Sequence, residues 1–142
     1  PHQWAFNHDQ TGFNYRLPNI NAALGCAQLE QLPVFLEKKR ALAERYRNAV
    51  EEIKGINFFT EPDFARSNYW LNVLLLDEDQ ADWRDTLLKM TNSQGLMTRP
   101  AWTLMHKLPM HRECPRMDLS VAESLERRII NIPSSVSLDA TV

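Results

Sequence analysis

The sequence is poor in glycine and in cysteine. Its 142 residues include four glycines and two cysteines. Four glycines leave no glycine-rich phosphate-binding loop, and no serine lies in a nucleophile-elbow context, so nucleotide-binding folds and hydrolases lack support. The two cysteines, Cys26 and Cys114, form no disulfide framework. We therefore expect a reducing compartment, the cytoplasm.

A strong charge of one sign and a long hydrophobic run are also missing. The net charge is -2 and charged residues make up 24%, so no field that gathers nucleic acid or an anionic membrane is expected. The longest apolar runs, such as Val73 to Leu76, are far shorter than the roughly 20 residues that cross a bilayer. We expect a soluble chain with neither nucleic acid nor a membrane as its partner.

An initiating methionine and a leader are missing at the start. Pro1 leads directly into aromatic, motif-dense sequence, and 142 residues suffice for one domain. We expect the chain to be a piece of a longer protein.

Hydrophobic periodicity predicts two helices in the first third of the chain. Asn19 is the expected N-cap of a helix that ends near Leu32. Pro33 suits the first turn of a second helix, which is expected to stop at Gly55. Its apolar stripe alternates with a charged run, residues 37–40, that we interpret as solvated.

Two further helices are predicted towards the end of the chain. Acidic residues 77–79 favour the start of a third helix that ends near Gly95. Ser120 and Glu123 have the spacing of a capping box, ahead of a last helix that runs to about Ile130.

Aromatic and branched residues predict the strands between these helices. Strands are expected over residues 56–59 and 68–76, with a short edge strand at 97–100 and a last strand from residue 130. The aromatic side chains of the first two strands are predicted to be core: Phe58, Phe59, Tyr69 and Trp70. The pattern gives an α/β fold with a small sheet.

Residues 100–116, PAWTLMHKLPMHRECPR, form a long loop rich in proline, aromatic and basic residues. A loop of this length and with this many aromatic and basic side chains is expected to lie near a binding site. His106, His111 and Cys114 could be read as metal ligands, but their spacing does not fit paired zinc ligands and no fourth ligand is near. No metal is predicted.

Asn14, Tyr15 and Arg16 stand just before the first predicted helix. An amide, a guanidinium and a free helix N-terminus all suit a phosphate or a carboxylate, so the triplet has the chemistry of an anion clamp. In the alternative, Arg16 pairs with an acidic side chain such as Asp9 and Tyr15 fills the edge of the core.

The stretch GFNYRLPNINAALGCAQLEQL, Gly12 to Leu32, resembles the signature of the DegT/DnrJ/EryC1/StrS family of sugar aminotransferases. The resemblance continues through Phe35 to Tyr46, through Gly95 to His111, and through Ile129 to Leu138. It covers essentially the whole chain but only the C-terminal part of such an enzyme.

This resemblance implies an α/β fold, the C-terminal small domain of a fold-type I transferase that depends on pyridoxal phosphate, with helices packed on a small, mainly antiparallel sheet. Residues 19–142 would form that domain, and residues 1–18 would carry the clamp for the cofactor phosphate. The implied activity moves an amino group from an amino acid, typically glutamate, to a nucleotide-linked keto-sugar. The implied partner is a second subunit in a homodimer.

The resemblance also implies roles for individual residues. Asn14 would reach the cofactor phosphate of the neighbouring subunit, and Arg16 belongs to the same corner. Arg99, Trp102 and His106 lie in the loop region that approaches the sugar nucleotide, so they are candidates for substrate contact, although each could instead anchor the loop.

The lysine that forms the Schiff base in this family would lie upstream of Pro1. None of the lysines present has its context: Lys38, Lys39, Lys54, Lys89 and Lys107. The chain alone is therefore expected to be inactive and to contain no catalytic residue. Two alternatives remain open, a non-catalytic member that acts through binding or dimerisation and a dehydratase-type member. His8 lies near the phosphate corner without an assignable role.

Overall fold

The computed structural model describes residues 10–139, where helices pack against one small sheet. The α-helices are α1 (Asn19–Glu30), α2 (Leu32–Val50), α3 (Arg84–Ser93) and α4 (Ser120–Arg128). The strands are β1 (Ile56–Phe58), β2 (Asn72–Leu76), β3 (Arg99–Pro100) and β4 (Ile129–Ile132). Short 3₁₀ turns cover Glu78–Trp83, Met105–Lys107, Pro109–His111 and Val136–Asp139. No helix in this part of the chain is both long and apolar enough to span a bilayer.

The sheet has the order β1-β2-β4-β3, and every neighbouring pair is antiparallel. In the central pair, Asn72 lies opposite Ile132 and Leu74 opposite Ile130. Residues directly opposite each other share one face of a sheet, so these side chains form a single inward row. The predicted fold class, helices on a small antiparallel sheet, is confirmed.

The core lies where this row meets α3. Leu88 of α3 is 0% exposed and packs with Leu76, Ile130 and Ile132. Tyr46 of α2 packs against the same cluster, and its hydroxyl donates a hydrogen bond to the carbonyl of Pro133 at 3.0 Å. Burial of these apolar side chains is the main force that holds the helices on the sheet.

The ends of α1 and α2 differ from the prediction. Asn19 is the first helical residue rather than the N-cap, a position taken by Pro18, and no side chain caps the helix. The second helix ends at Val50 instead of Gly55. Gly55 adopts a φ of 86° and its carbonyl accepts a hydrogen bond from the Asp77 amide at 3.0 Å. Its left-handed conformation thus serves the turn into β1, not a helix cap.

The predicted capping box of α4 is wrong. Leu119 is the N-cap, and Ser120 lies inside the helix. The Ser120 hydroxyl donates to Asp118 Oδ2 at 2.8 Å, and its amide donates to Asp118 Oδ1. These bonds lower the pKa of Asp118. The carboxylate of Glu123 bonds His106 instead of the start of the helix.

The strand predicted over residues 68–76 begins only at Asn72. Tyr69 has a φ of 46°, which is incompatible with a strand and rare for an aromatic residue. The chain therefore turns before β2, and the indole of Trp70 points outward with 67% of its surface exposed. Phe59 is also more than half exposed. The prediction that these aromatic residues are core is wrong for Phe59 and Trp70.

Candidate functional site

Residues 10–18 approach α1 without regular structure, and all of them are exposed. Asn14 and Arg16 both lie in this segment. The rings of Phe13 and Tyr15 stack with centroids 5.9 Å apart. Tyr15 is 88% exposed, so within the described residues it does not fill a core edge. Asp9, the proposed ionic partner of Arg16, and His8 lie outside the described residues.

The start of α1 is open to an anion. Pro18 is its N-cap, and among the described residues no side chain makes a capping hydrogen bond to the first amides of the helix. Arg16, Leu17, Pro18 and Asn21 line a shallow, open concavity at this point. A guanidinium and an amide beside an uncapped helix N-terminus are a donor set that fits a phosphate group.

Arg99 lies at the sheet edge, half-buried in β3. Its Nη1 donates to Asn92 Oδ1 and to the carbonyl of Thr98, both at 2.7 Å. Asn92 belongs to α3, so one nitrogen of the guanidinium anchors the strand to that helix. Among the described residues, Nε and Nη2 of Arg99 make no hydrogen bond, which leaves two donors for a ligand.

Arg99 and Trp102 line one cavity of about 270 Å³ between the ends of β3 and β4. Its walls are mostly apolar, with Leu71 and Pro133 among them. Ligand pockets typically measure about 300–1,000 Å³. This cavity is therefore large enough for one ring system rather than for a whole nucleotide sugar.

Trp70 is a member of this site that the sequence reasoning missed, because it was assigned to the core. Its ring stacks on Trp102, with centroids 6.0 Å apart and planes 12° from parallel. Both indoles remain more than half exposed, at 67% for Trp70 and 59% for Trp102. The available signal was Asn68, since an asparagine often bonds the backbone two residues later and so marks a turn. Its Oδ1 accepts from the Trp70 amide at 2.9 Å.

Two basic side chains of α2 hold the turn that carries Trp70. Lys39 Nζ donates to the carbonyls of Trp70 at 3.1 Å and Ser134 at 2.6 Å. Burial lowers the pKa of Lys39. Arg40 donates to the Ser67 carbonyl at 2.7 Å and pairs with Glu61. The prediction that residues 37–40 are a solvated run is therefore wrong for Lys39 and Arg40.

His106 is placed in a second cavity rather than beside Arg99 and Trp102. Its Nε2 bonds Glu123 Oε1 of α4 at 2.9 Å, and 15% of its side chain is exposed. The neighbouring Lys107 pairs with Glu126 of the same helix. Both pairs fix the loop on α4, so the contacts of His106 are those of an anchor.

The predicted site residues thus fall into separate groups. Arg99 and Trp102 share a cavity, His106 lines another, and Arg16 lines the concavity at the start of α1. In the second cavity, Cys114 Sγ lies 3.9 Å from Nδ1 of His111. Within residues 10–139, no three side chains of histidine, cysteine, aspartate or glutamate come together as a metal site would require.

Comparison with known proteins connects this fold to one enzyme family. The DegT/DnrJ/EryC1/StrS aminotransferase family matches over residues 2–141. The GDP-perosamine synthase of Escherichia coli O157:H7 is 34% identical over 131 residues, which are 92% of this chain and 35% of that protein.

Solved structures agree on the fold. Helicobacter pylori PseC, an aminotransferase involved in the biosynthesis of pseudoaminic acid, superposes with a TM-score of 0.76 at 19% identity, over 91% of this chain and 35% of PseC. The E. coli GDP-4-keto-6-deoxy-D-mannose-3-dehydratase, solved with bound hydrated PLP, gives a TM-score of 0.74 at 20% identity, over 89% of this chain and 33% of the dehydratase.

The chain spans about a third of the length of the relatives that it matches. The resemblance found in the sequence is confirmed, and with it the C-terminal small-domain fold. Pyridoxal phosphate is confirmed as the cofactor of the family. Because the family match covers nearly every residue, the conclusion is direct: this chain belongs to the DegT/DnrJ/EryC1/StrS aminotransferase family.

Proposed function

We propose that this chain is the C-terminal domain of an aminotransferase that moves an amino group from glutamate to a nucleotide-linked keto-sugar. The coarse part of this assignment, a sugar aminotransferase, follows from the family. Pyridoxal phosphate, when bound, supplies the electron sink for the amino-group transfer. The chain itself supplies groups that bind and orient, and the essential lysine comes from the upstream part of the protein.

The cofactor phosphate is assigned to Asn14 and Arg16. The observation that supports this assignment is that Asn14 and Arg16 are exposed and that Arg16 lines the concavity at the start of α1, where no described side chain makes a capping hydrogen bond. Apolar surface is exposed next to these residues, because α1 has no buried residue and Leu17, just before it, and Ile20, within it, are both exposed. Such a surface is typical of an interface, which supports a homodimer in which the two residues reach the partner's cofactor.

The substrate is assigned to the face that carries Arg99 and Trp102. The two nitrogens of Arg99 that make no hydrogen bond among the described residues suit an anionic oxygen of the carrier, and the indole of Trp102 offers a flat face to a sugar or a base. His106 keeps the loop in place through Glu123, and its contact with substrate stays a prediction. The enzyme would work in the cytoplasm.

The test uses the longer protein that contains this chain, with its cofactor absorbance recorded before and after glutamate is added. We expect glutamate to convert the cofactor to its pyridoxamine form. Arg16→Ala removes a charge-assisted contact of about 1.5–3 kcal/mol, so it should weaken the binding of pyridoxal phosphate roughly tenfold to 150-fold. Arg127→Ala, at an exposed arginine of α4, is the matched control and should bind normally.

The outcomes separate the assignments. Unchanged cofactor affinity in Arg16→Ala would remove Arg16 from the phosphate site. A bound cofactor that glutamate does not convert would refute the aminotransferase and favour the dehydratase-type member. A protein that binds no pyridoxal phosphate would favour the non-catalytic member. The isolated chain of 142 residues is expected to show no turnover.

A further inference from the structure

The stacked pair Trp70 and Trp102 is unusual because both rings are exposed. Their planes lie 12° from parallel, yet each indole keeps more than half of its surface open. Large aromatic side chains are normally buried, since they are the residues that gain most from leaving water. Two of them side by side at the surface form a flat apolar platform, and such a patch marks a binding site.

The backbone that presents Trp70 is held firmly in a strained shape. Tyr69 has a φ of 46°, a conformation that costs a non-glycine residue about 1–3 kcal/mol. The amide of Tyr69 donates to Ser67 Oγ, and the amide of Trp70 donates to Asn68 Oδ1, both at 2.9 Å. Lys39 binds the Trp70 carbonyl. These restraints fix the turn in the conformation that points the Trp70 indole outward.

The platform borders a cavity with complementary chemistry. Trp102 belongs to both, and Leu71, the residue after Trp70, also lines the cavity. Arg99 lines the cavity, and among the described residues its Nε and Nη2 make no hydrogen bond. A planar apolar surface beside a cationic group suits a ligand that is aromatic at one end and anionic at the other, as a nucleoside diphosphate is.

We propose that Trp70 and Trp102 form a stacking platform for the base of the nucleotide carrier, with Trp70 as a residue that selects an aromatic carrier. The proposal rests on the proposed function, which supplies a nucleotide-linked substrate. Every base has a π face, so stacking on an indole contributes to affinity for purines and pyrimidines alike. Arg99 then lies on the side of the diphosphate.

The experiment measures dissociation constants of the full-length protein, loaded with cofactor, for three probes: GDP, dTDP and inorganic pyrophosphate. Base stacking on an aromatic side chain corresponds to a loss of about fivefold to 150-fold on alanine substitution. We expect Trp70→Ala to weaken GDP and dTDP within this range and to leave pyrophosphate unchanged. Trp70→Phe should stay within about threefold of the wild type, because a phenyl ring still stacks.

Trp83→Ala is the matched control, since Trp83 is an exposed tryptophan outside the platform; it should bind all three probes normally. Wild-type indole fluorescence should change when GDP binds, and the change should be smaller in Trp70→Phe. If Trp70→Ala cannot be purified, the fluorescence and affinity of Trp70→Phe carry the test.

Three results would overturn the proposal. Normal GDP affinity in Trp70→Ala would show that the indole does not meet the base. Equal weakening for GDP and pyrophosphate would place the effect on the phosphates. Dissociation of the dimer in Trp70→Ala would mean that the platform is covered by protein. Conversion of the cofactor by glutamate is measured in the same variants and needs no nucleotide. Failure of that conversion would therefore contradict the proposed function and not the stacking platform.

Discussion

Ser134→Ala should destabilise the centre of the sheet far more than the loss of one hydroxyl suggests. Ser134 Oγ accepts two hydrogen bonds from Asn72, one from the backbone amide at 2.7 Å and one from Nδ2 at 3.2 Å. It donates a third to the carbonyl of Ile132 at 2.7 Å. Asn72 is 0% exposed, so alanine at position 134 would leave its two donors where water does not reach them.

The magnitude follows from the cost of those orphaned donors. A buried polar group that loses its partner costs about 1–3 kcal/mol. The bond from the Asn72 amide is short and should approach the upper value, whereas the longer Nδ2 bond should lie near the lower one. We therefore expect Ser134→Ala to lower the local free energy of unfolding by about 2–4 kcal/mol.

The assay is hydrogen exchange of the β2 and β4 amides in the full-length protein. Exchange reports the stability of these two strands directly, whereas a single melting curve is ambiguous for a protein of more than one domain. A loss of about 2–4 kcal/mol accelerates exchange roughly 30-fold to 700-fold, at about 1.4 kcal/mol per factor of ten. Ser135→Ala is the control, since its exposed Oγ bonds only the Ser137 amide and hydroxyl among the described residues. Equal exchange in the two variants would refute the reasoning.

Two further predictions concern the core and a charged turn. Leu88→Ala should lower the free energy of unfolding by about 2–5 kcal/mol through the cavity it leaves, and this loss should appear as faster hydrogen exchange in α3. Met90→Ala, at an exposed site of the same helix, should not accelerate exchange. Equal effects of the two substitutions would contradict the core assignment. The pKa of Glu61 is lowered mainly by the hydrogen bond from the Arg40 side chain and next by the one from the Ser67 amide. The stabilisation by Glu61 is therefore present above the ordinary glutamate pKa and lost as pH falls through the lowered value. Thermal unfolding of Glu61→Gln should differ from the wild type at neutral pH and converge with it in acid, so a difference independent of pH would be inconsistent with this ion pair.

The elements that the sequence predicted well are those with a strong local pattern. The apolar stripe of α2 puts Leu42 in the core, and the run of branched residues before Asp77 forms β2. Both patterns depend only on periodicity, which the chain carries within a few residues. Ends were less predictable, because Gly55 could serve a helix cap or a turn and only the partner at Asp77 decides which.

The part of the site that escaped prediction depends on distant partners. Lys39 reads as a solvated charge, yet its acceptors, Trp70 and Ser134, are 31 and 95 residues away in the sequence. Trp70 reads as part of a strand because the left-handed conformation of Tyr69 is not encoded by the tyrosine itself. By contrast, Arg99 and Trp102 were predicted as candidates because the family resemblance places this region near the sugar nucleotide, and their contact with substrate stays a prediction.

One helix connects both walls of the candidate substrate site. Lys39 on α2 binds the Trp70 carbonyl on one wall and the Ser134 carbonyl on the other, and Tyr46, two turns further along, binds the Pro133 carbonyl. A helix of 19 residues is a rigid element. Because α2 carries both side chains that donate these three hydrogen bonds, the separation of the two walls is set by the helix and not by either loop alone. The charged groups of this helix therefore contribute to the geometry of the site, although none of them lines the cavity itself.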